Sequence, residues 1–234
     1  MSNWKAAVFD GCAKLARRTL PESCVLCGAA TVHARFCAPC EMALPRLPAA
    51  LCRVCALPLT TGSTCGACLT VPPKYDGVSA PYAYAFPVDA LIQAFKYGGD
   101  LMLAPVLAAK LGTTEDSCVD ALIPMPLSAA RLRERGFNQA HELARLAGRR
   151  LGLPVLPHAC RKVTDTAPQA ALPWKERARN VRGAFVCDVD LGGRRIAVVD
   201  DVMTTGSTLD ELARILKRAG AAQVRGWVVA RTLR

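Results

Sequence analysis

No apolar stretch in this chain reaches 18 residues without a charge or a helix breaker, so the sequence offers no membrane span. The start of the chain lacks the apolar core of a secretory leader. Asp10, Lys14, Arg17 and Arg18 stand in its place, so export is not expected and a cytoplasmic location is. Global disorder is excluded too, because 234 residues that are 52% apolar and 21% charged can bury a core. That length holds one large or two small domains. Acidic residues are few, 19 against 30 Lys and Arg, and the shortage is local. Residues 131–182 hold twelve basic and four acidic side chains, a net of +8, whereas residues 76–130 hold two basic and six acidic, a net of −4. The arginines of 131–182 cluster with glycine, Asn138 and Gln139 rather than alternating with carboxylates. An anion is therefore expected to meet this stretch, with a merely solvated surface as the plainer alternative. Trp4, Val8, Cys12 and Leu15 recur at helical spacing and are expected to form a short amphipathic helix docked on its own domain rather than on a membrane.

What the chain does have is cysteine, twelve in all, and eight of them fall in four C-x-x-C pairs. These are Cys24/Cys27, Cys37/Cys40, Cys52/Cys55 and Cys65/Cys68. A two-residue gap lets a tight knuckle present both sulfurs to one ion, and two knuckles complete a tetrahedral Zn²⁺ site. Nine residues separate Cys27 from Cys37, and nine separate Cys55 from Cys65. This repeat points to two consecutive zinc ribbons, although an interleaved pairing fits the spacing as well. Disulfides are disfavoured where thiols stay reduced. Eight thiolates with two Zn²⁺ add −4, which takes residues 1–75 from +5 to about +1. With so little excess charge, a structural role is expected for the two ions. Cys12, Cys118, Cys160 and Cys187 lack partner spacing and read as small core residues.

The remainder alternates. Strands are expected within 75–86, at "VDALIPMPL" (119–127), near Val155–Leu156, and at "GAFVC" (183–187), "RRIAVVD" (194–200) and "VRGWVVART" (224–232). Helices are expected at "DALIQAFKYGG" (89–99), "LMLAPVLAAKLG" (101–112, with Pro105 in its first turn), "NQAHELARLAGRRLG" (138–152) and from Leu209 to Ala219. Residues 162–182 read as a long basic loop. Such alternation implies an α/β fold with a mainly parallel sheet flanked by helices. Pro72-Pro73 is the expected linker, giving a ribbon region at 1–73 and an α/β domain at 74–234.

Between the strand ending near Asp200 and the helix from Leu209 lies "VVDDVMTTGSTLDE" (198–211). A loop of small residues entering a helix leaves backbone N–H groups free to receive an anion. Thr204, Thr205, Gly206, Ser207 and Thr208 are thus a candidate phosphate cradle, with three hydroxyls to assist. Asp200 and Asp201 would repel a phosphate but suit a neighbouring diol or a metal ion. A 5-phosphorylated ribose satisfies both demands.

The segment "VVDDVMTTGSTL" resembles the phosphoribosyl-pyrophosphate signature of type I phosphoribosyltransferases. With "FKYGGD", "RERGFNQAHELA", "RKVTDTAPQAAL", "RARNVRGAF" and the four knuckles, the whole chain resembles the ComF family, whose members are linked to DNA uptake and use. The resemblance implies a double zinc ribbon preceding a phosphoribosyltransferase-like domain. It implies that Asp200 and Asp201 are the catalytic pair holding the ribose hydroxyls, and that Thr204 to Thr208 hold the 5-phosphate. Met203 stands where a branched aliphatic is common. In such enzymes pyrophosphate leaves with Mg²⁺ and needs a second anion site, for which "PMPLSAARLRERGFNQ" supplies Arg131, Arg133 and Arg135. Arginine is suited to planar, bidentate phosphate recognition. Arg177, Arg179 and Arg182 lie in or after the long loop and are candidates to close over the site. Asn138 and Gln139 fit ligand contact and helix capping equally.

Three activities follow from these residues. The first is phosphoribosyl transfer to an unknown nitrogen nucleophile, with phosphoribosyl pyrophosphate and Mg²⁺ as ligands. The second is handling of single-stranded DNA, with the arginines on phosphates and Phe137 or Trp174 stacking on bases. The third is a regulator that senses the phosphoribosyl compound without chemistry. In each case the biological setting is DNA uptake or use, with other DNA-uptake proteins as possible partners.

Overall fold

Valine and isoleucine build the sheet. The computed structural model describes residues 22–31, 35–112, 118–164 and 181–233. By contacts the chain forms two compact units, residues 1–44 and 45–234. This division falls earlier than the Pro72-Pro73 linker, so the second pair of knuckles counts with the larger unit.

In the smaller unit, β1 (Glu22–Ser23) pairs antiparallel with β2 (Ala30–Thr31), and α1 (Ala38–Met42) follows. The larger unit opens with its own knuckles and α2 (Gly66–Thr70). It continues through β3 (Gly77–Ser79), β4 (Tyr82–Ala83), α3 (Val88–Tyr97), a 3₁₀ turn at Leu101–Leu103 and α4 (Ala104–Ala108). Then come β5 (Ala121–Pro124), α5 (Ala129–Arg135), α6 (Gln139–Leu151), β6 (Cys160–Lys162) and β7 (Phe185–Cys187). β8 (Arg195–Met203), α7 (Ser207–Arg218) and β9 (Gln223–Arg231) close the chain.

β3, β9, β8 and β5 lie side by side in that order, every pairing parallel, and β4 also pairs with β9. The long central strands are buried on both faces, as near-continuous apolar runs in parallel sheets are. Ile196 and Val198 on one face meet Leu209, Leu212 and Leu216 of α7 in one cluster. Gly226 of β9 is what lets α7 come so close, since a Cβ there would sit 2.5 Å from a Leu209 methyl. Two expectations took another form. "GAFVC" does yield β7, but it pairs antiparallel with β6 in a separate two-stranded sheet. Near Val155 there is a single parallel bridge to Leu122 and no strand. Pro105 does stand in the first turn of α4, where its missing N–H has no partner to lose. The N-terminal stripe and most of the basic loop fall outside the described residues.

Candidate functional site

The turn from β8 into α7 is built around one backbone requirement. Gly206 is the residue before the first turn of α7 and has φ +84°, the left-handed region. A side chain there would be strained and would also meet Met203 Cε at 2.6 Å and the Tyr75 hydroxyl at 3.0 Å. No side chain caps α7, so the start of a twelve-residue helix offers its amides and its positive dipole end to a ligand. Thr205 Oγ1 lies 2.9 Å from Ser207 Oγ and accepts from the Ser207 amide at 3.2 Å, which holds both hydroxyls at the loop. Asp200, Met203, Thr204, Thr205, Gly206 and Thr208 line one cleft together with Met125, Val198 and Val228.

The two carboxylates do not do the same thing. Consecutive strand residues face opposite sides of a sheet, and β8 runs on to Met203, so Asp200 and Asp201 diverge. Asp200 shares the cleft face with Val198 and Val202. Burial first, and the charge of Asp201 second, push its carboxyl up to about 7, against the pull of Lys96 and Arg135. Asp201 is buried and forms an ion pair with Lys96 at 2.8 Å. Burial works to strip the proton from Lys96, but the charge and hydrogen bond of Asp201 outweigh it and raise the ammonium group above its usual range. Lys96 belongs to "FKYGGD" at the end of α3 and was not assigned from the sequence. One signal was present: it is one of only two cations between residues 76 and 130.

Arg135 joins this group. It donates to Gln139 Oε1 at 3.1 Å and to the Tyr97 hydroxyl at 3.3 Å, and its guanidinium lies 5.1 Å from the Tyr97 ring centre. Arg131 and Arg133 stand on α5, Arg131 half-buried and Arg133 exposed. Arg177 and Arg179 lie outside the described residues. Asn138 caps α6 by accepting from the Ala140 and His141 amides, and it donates to Met125 O, at 3.1 Å. Capping is thus its role here, and Gln139 is buried as the acceptor for Arg135. Phe137 packs on Phe95 in a tilted arrangement, with ring centres 5.5 Å apart.

The eight cysteines assemble in sequence order. Cys24, Cys27, Cys37 and Cys40 form one group, Cys52, Cys55, Cys65 and Cys68 the other, and within each group all sulfurs lie within 4.8 Å of one another. The interleaved alternative is therefore excluded. Cys27 and Cys37 sulfurs, like those of Cys55 and Cys65, are 3.6 Å apart. That is close to the roughly 3.8 Å edge of a tetrahedron with Zn–S bonds of about 2.3 Å. Backbone amides support the thiolates. The Cys37 amide foremost brings the Cys24 thiol down to about 6. At Cys52 burial opposes ionisation, yet the Cys65, Cys55 and Val54 amides still bring the thiol down to about 7. Four soft sulfur ligands at this spacing, one in each group lowered by backbone amides, fit Zn²⁺ at both groups. Of the other cysteines, Cys118 is exposed rather than a core residue. Cys160 and Cys187 face each other across β6 and β7.

A double zinc ribbon domain model matches residues 15–69, and a phosphoribosyl transferase domain model matches residues 189–233. The chain is 36% identical to the DNA utilization protein YhgH of Escherichia coli K12, over 92% of this chain and 99% of that one. It is 33% identical to competence protein F of Haemophilus influenzae, over 84% of this chain and 90% of the other. Competence protein ComFC of Bacillus subtilis is 25% identical, over 85% of each chain.

Proposed function

The chain belongs to the ComF family of competence and DNA-utilisation proteins, and we propose that it binds phosphoribosyl pyrophosphate with Mg²⁺ at the β8–α7 turn and acts in DNA uptake or utilisation. The observation that carries this reading is the joint placement of an uncapped helix start, a left-handed Gly206 and the Asp200 carboxyl in one cleft. The 5-phosphate would take the amides and hydroxyls of Thr204 to Thr208, and the ribose diol would take Asp200. Mg²⁺ would neutralise the pyrophosphate. Asp200 is the carboxylate that can reach it, while Asp201 would hold Lys96 beside the leaving group or release it to the anion. Arg135, and beyond it Arg131 and Arg133, would receive the departing phosphates. The cytoplasm, where thiols stay reduced, suits both cysteine sites.

In transfer, a nitrogen nucleophile forms a bond to ribose C1 as the C1–O bond to pyrophosphate breaks, and the cations stabilise the departing charge. Release of pyrophosphate on adding an acceptor separates transfer from sensing. A second reading, weak binding of single-stranded DNA, rests on Arg131 and Arg133 standing accessible on α5.

Titration calorimetry tests the binding claim. The wild type should bind phosphoribosyl pyrophosphate in Mg²⁺. Replacing Asp200 and Asp201 together by Asn should weaken it at least about tenfold, since charge-assisted hydrogen bonds contribute about 1.5–3 kcal/mol each and about 1.4 kcal/mol is a factor of ten. Absence of wild-type binding, or equal affinities, would refute it.

A further inference from the structure

Arg231, the last residue of β9, is 1% exposed. Its side chain ties together segments far apart in sequence. Nε donates to the carbonyl of Cys55 at 2.9 Å, inside the first knuckle of the second cysteine group. Nη1 donates to Met203 O at 3.0 Å, to Thr232 O at 2.8 Å and to Thr204 O. Met203 ends β8 and Thr204 opens the phosphate loop. One buried guanidinium therefore joins a metal-binding knuckle to the loop. Its planar fork gives several donors in fixed relative positions, which a lysine cannot reproduce.

A second side chain packs in the same region. Tyr75 is buried, and its hydroxyl stands against Gly206, 3.0 Å from where a Cβ would be. Cys52, Cys55 and Tyr75 also share one core cluster with Met203 and Leu209.

We propose that the second cysteine group is part of the phosphate site: Zn²⁺ on Cys52, Cys55, Cys65 and Cys68 fixes the Cys55 carbonyl, and Arg231 passes that position to the 204–208 loop. Arg231 is a positioning residue. It has no need to touch the ligand. A metal-bound knuckle has one conformation, so Cys55 O, the guanidinium and the Thr204 carbonyl are held together, and the loop amides stay aimed at the cleft. Without the metal the knuckle is free to move and takes the loop carbonyl with it. Affinity for phosphoribosyl pyrophosphate thereby becomes dependent on zinc at one site of the two. This inference rests on the reading that the loop binds the 5-phosphate.

Four full-length proteins test it: wild type, Cys68→Ser, Cys40→Ser and Arg231→Lys. Zinc content, calorimetric affinity for phosphoribosyl pyrophosphate with Mg²⁺, and hydrogen exchange of the 204–208 amides are measured on each. Cys68→Ser should keep one zinc, bind about tenfold or more weakly and exchange its loop amides about tenfold faster. Cys40→Ser should also keep one zinc yet stay within about twofold of wild type. Arg231→Lys should keep both zincs, bind about threefold or more weakly and show faster exchange confined to the loop. Wild-type affinity and exchange in Cys68→Ser would overturn the proposal. So would an unchanged Arg231→Lys, including the case where Cys68→Ser fails to fold. If the wild type binds no phosphoribosyl pyrophosphate, the functional reading fails instead, and the exchange rates still decide whether metal and loop are coupled.

Discussion

The two cysteine groups share their spacing to the residue, yet they are set in different surroundings. Cys24 to Cys40 belong to the smaller unit, where only Cys24 is buried and Cys27 is exposed. Cys52 to Cys68 belong to the larger unit, where Cys52 and Cys55 are both buried and sit in the same core cluster as β8 and α7. The repeat in the sequence suggests two equal modules. The surroundings make one of them self-contained by contacts and the other a wall of the α/β unit. Metal chemistry comes from the repeat, while the role of each metal comes from what touches its knuckle.

Metal loss should break this comparison most strongly. Structural Zn²⁺ supplies roughly 10–16 kcal/mol of binding free energy to small domains. Cys24→Ala and Cys52→Ala should each leave one zinc per chain. The Cys52 variant alone should lower the main melting transition, because that transition reports the larger unit. Equal losses in both variants would erase the distinction. Gly206→Val damages the loop while leaving both groups intact. It should keep two zincs and lose about tenfold or more in affinity for phosphoribosyl pyrophosphate, since a branched side chain at positive φ meets both a backbone penalty and Tyr75.

The sequence announced these regions unevenly. The loop, its glycine and the helix after it were legible because strand, small-residue turn and helix are contiguous, so one local pattern contains them all. The cysteines were legible because a metal site declares itself by spacing. Lys96 and Arg231 were not, since their partners Asp201 and Cys55 lie far along the chain and are chosen by packing. An arginine that ends the apolar run of β9 was the available sign of a buried charge with a task. The facing of Cys160 and Cys187 was hidden for the same reason, because strand register across a long connection leaves no trace in local spacing. The divergence of Asp200 and Asp201 follows from strand alternation once β8 is known to extend to Met203.

A subtler test concerns protons and the larger unit alone. Asp200 titrates near 7 in the fold because of burial, against an ordinary value of about 4 in an unfolded chain. A raised carboxyl is most favourable when protonated, so its contribution is whole below about pH 4 and is lost as pH rises toward about 7. Asp200→Asn should therefore raise Tm relative to wild type at pH 8 and change it little at pH 4, with about 2–4 °C per kcal/mol for a chain of this size. A shift of equal size at both pH values would remove Asp200 from this role. The smallest effect expected is on DNA. Each phosphate neutralised on a single strand contributes about −0.7 to the slope of log affinity against log salt. Replacing Arg131, Arg133 and Arg135 by Glu should flatten that slope by up to about 2, and an unchanged slope would clear α5 of any part in binding.

A crystal structure with phosphoribosyl pyrophosphate and Mg²⁺ tests the central claim most directly. The 5-phosphate should lie on the amides of Thr204 to Thr208, with the ribose hydroxyls at Asp200 and Arg231 still bonded to both Cys55 O and the loop. A ligand bound elsewhere, with the β8–α7 cleft left empty, would contradict the account.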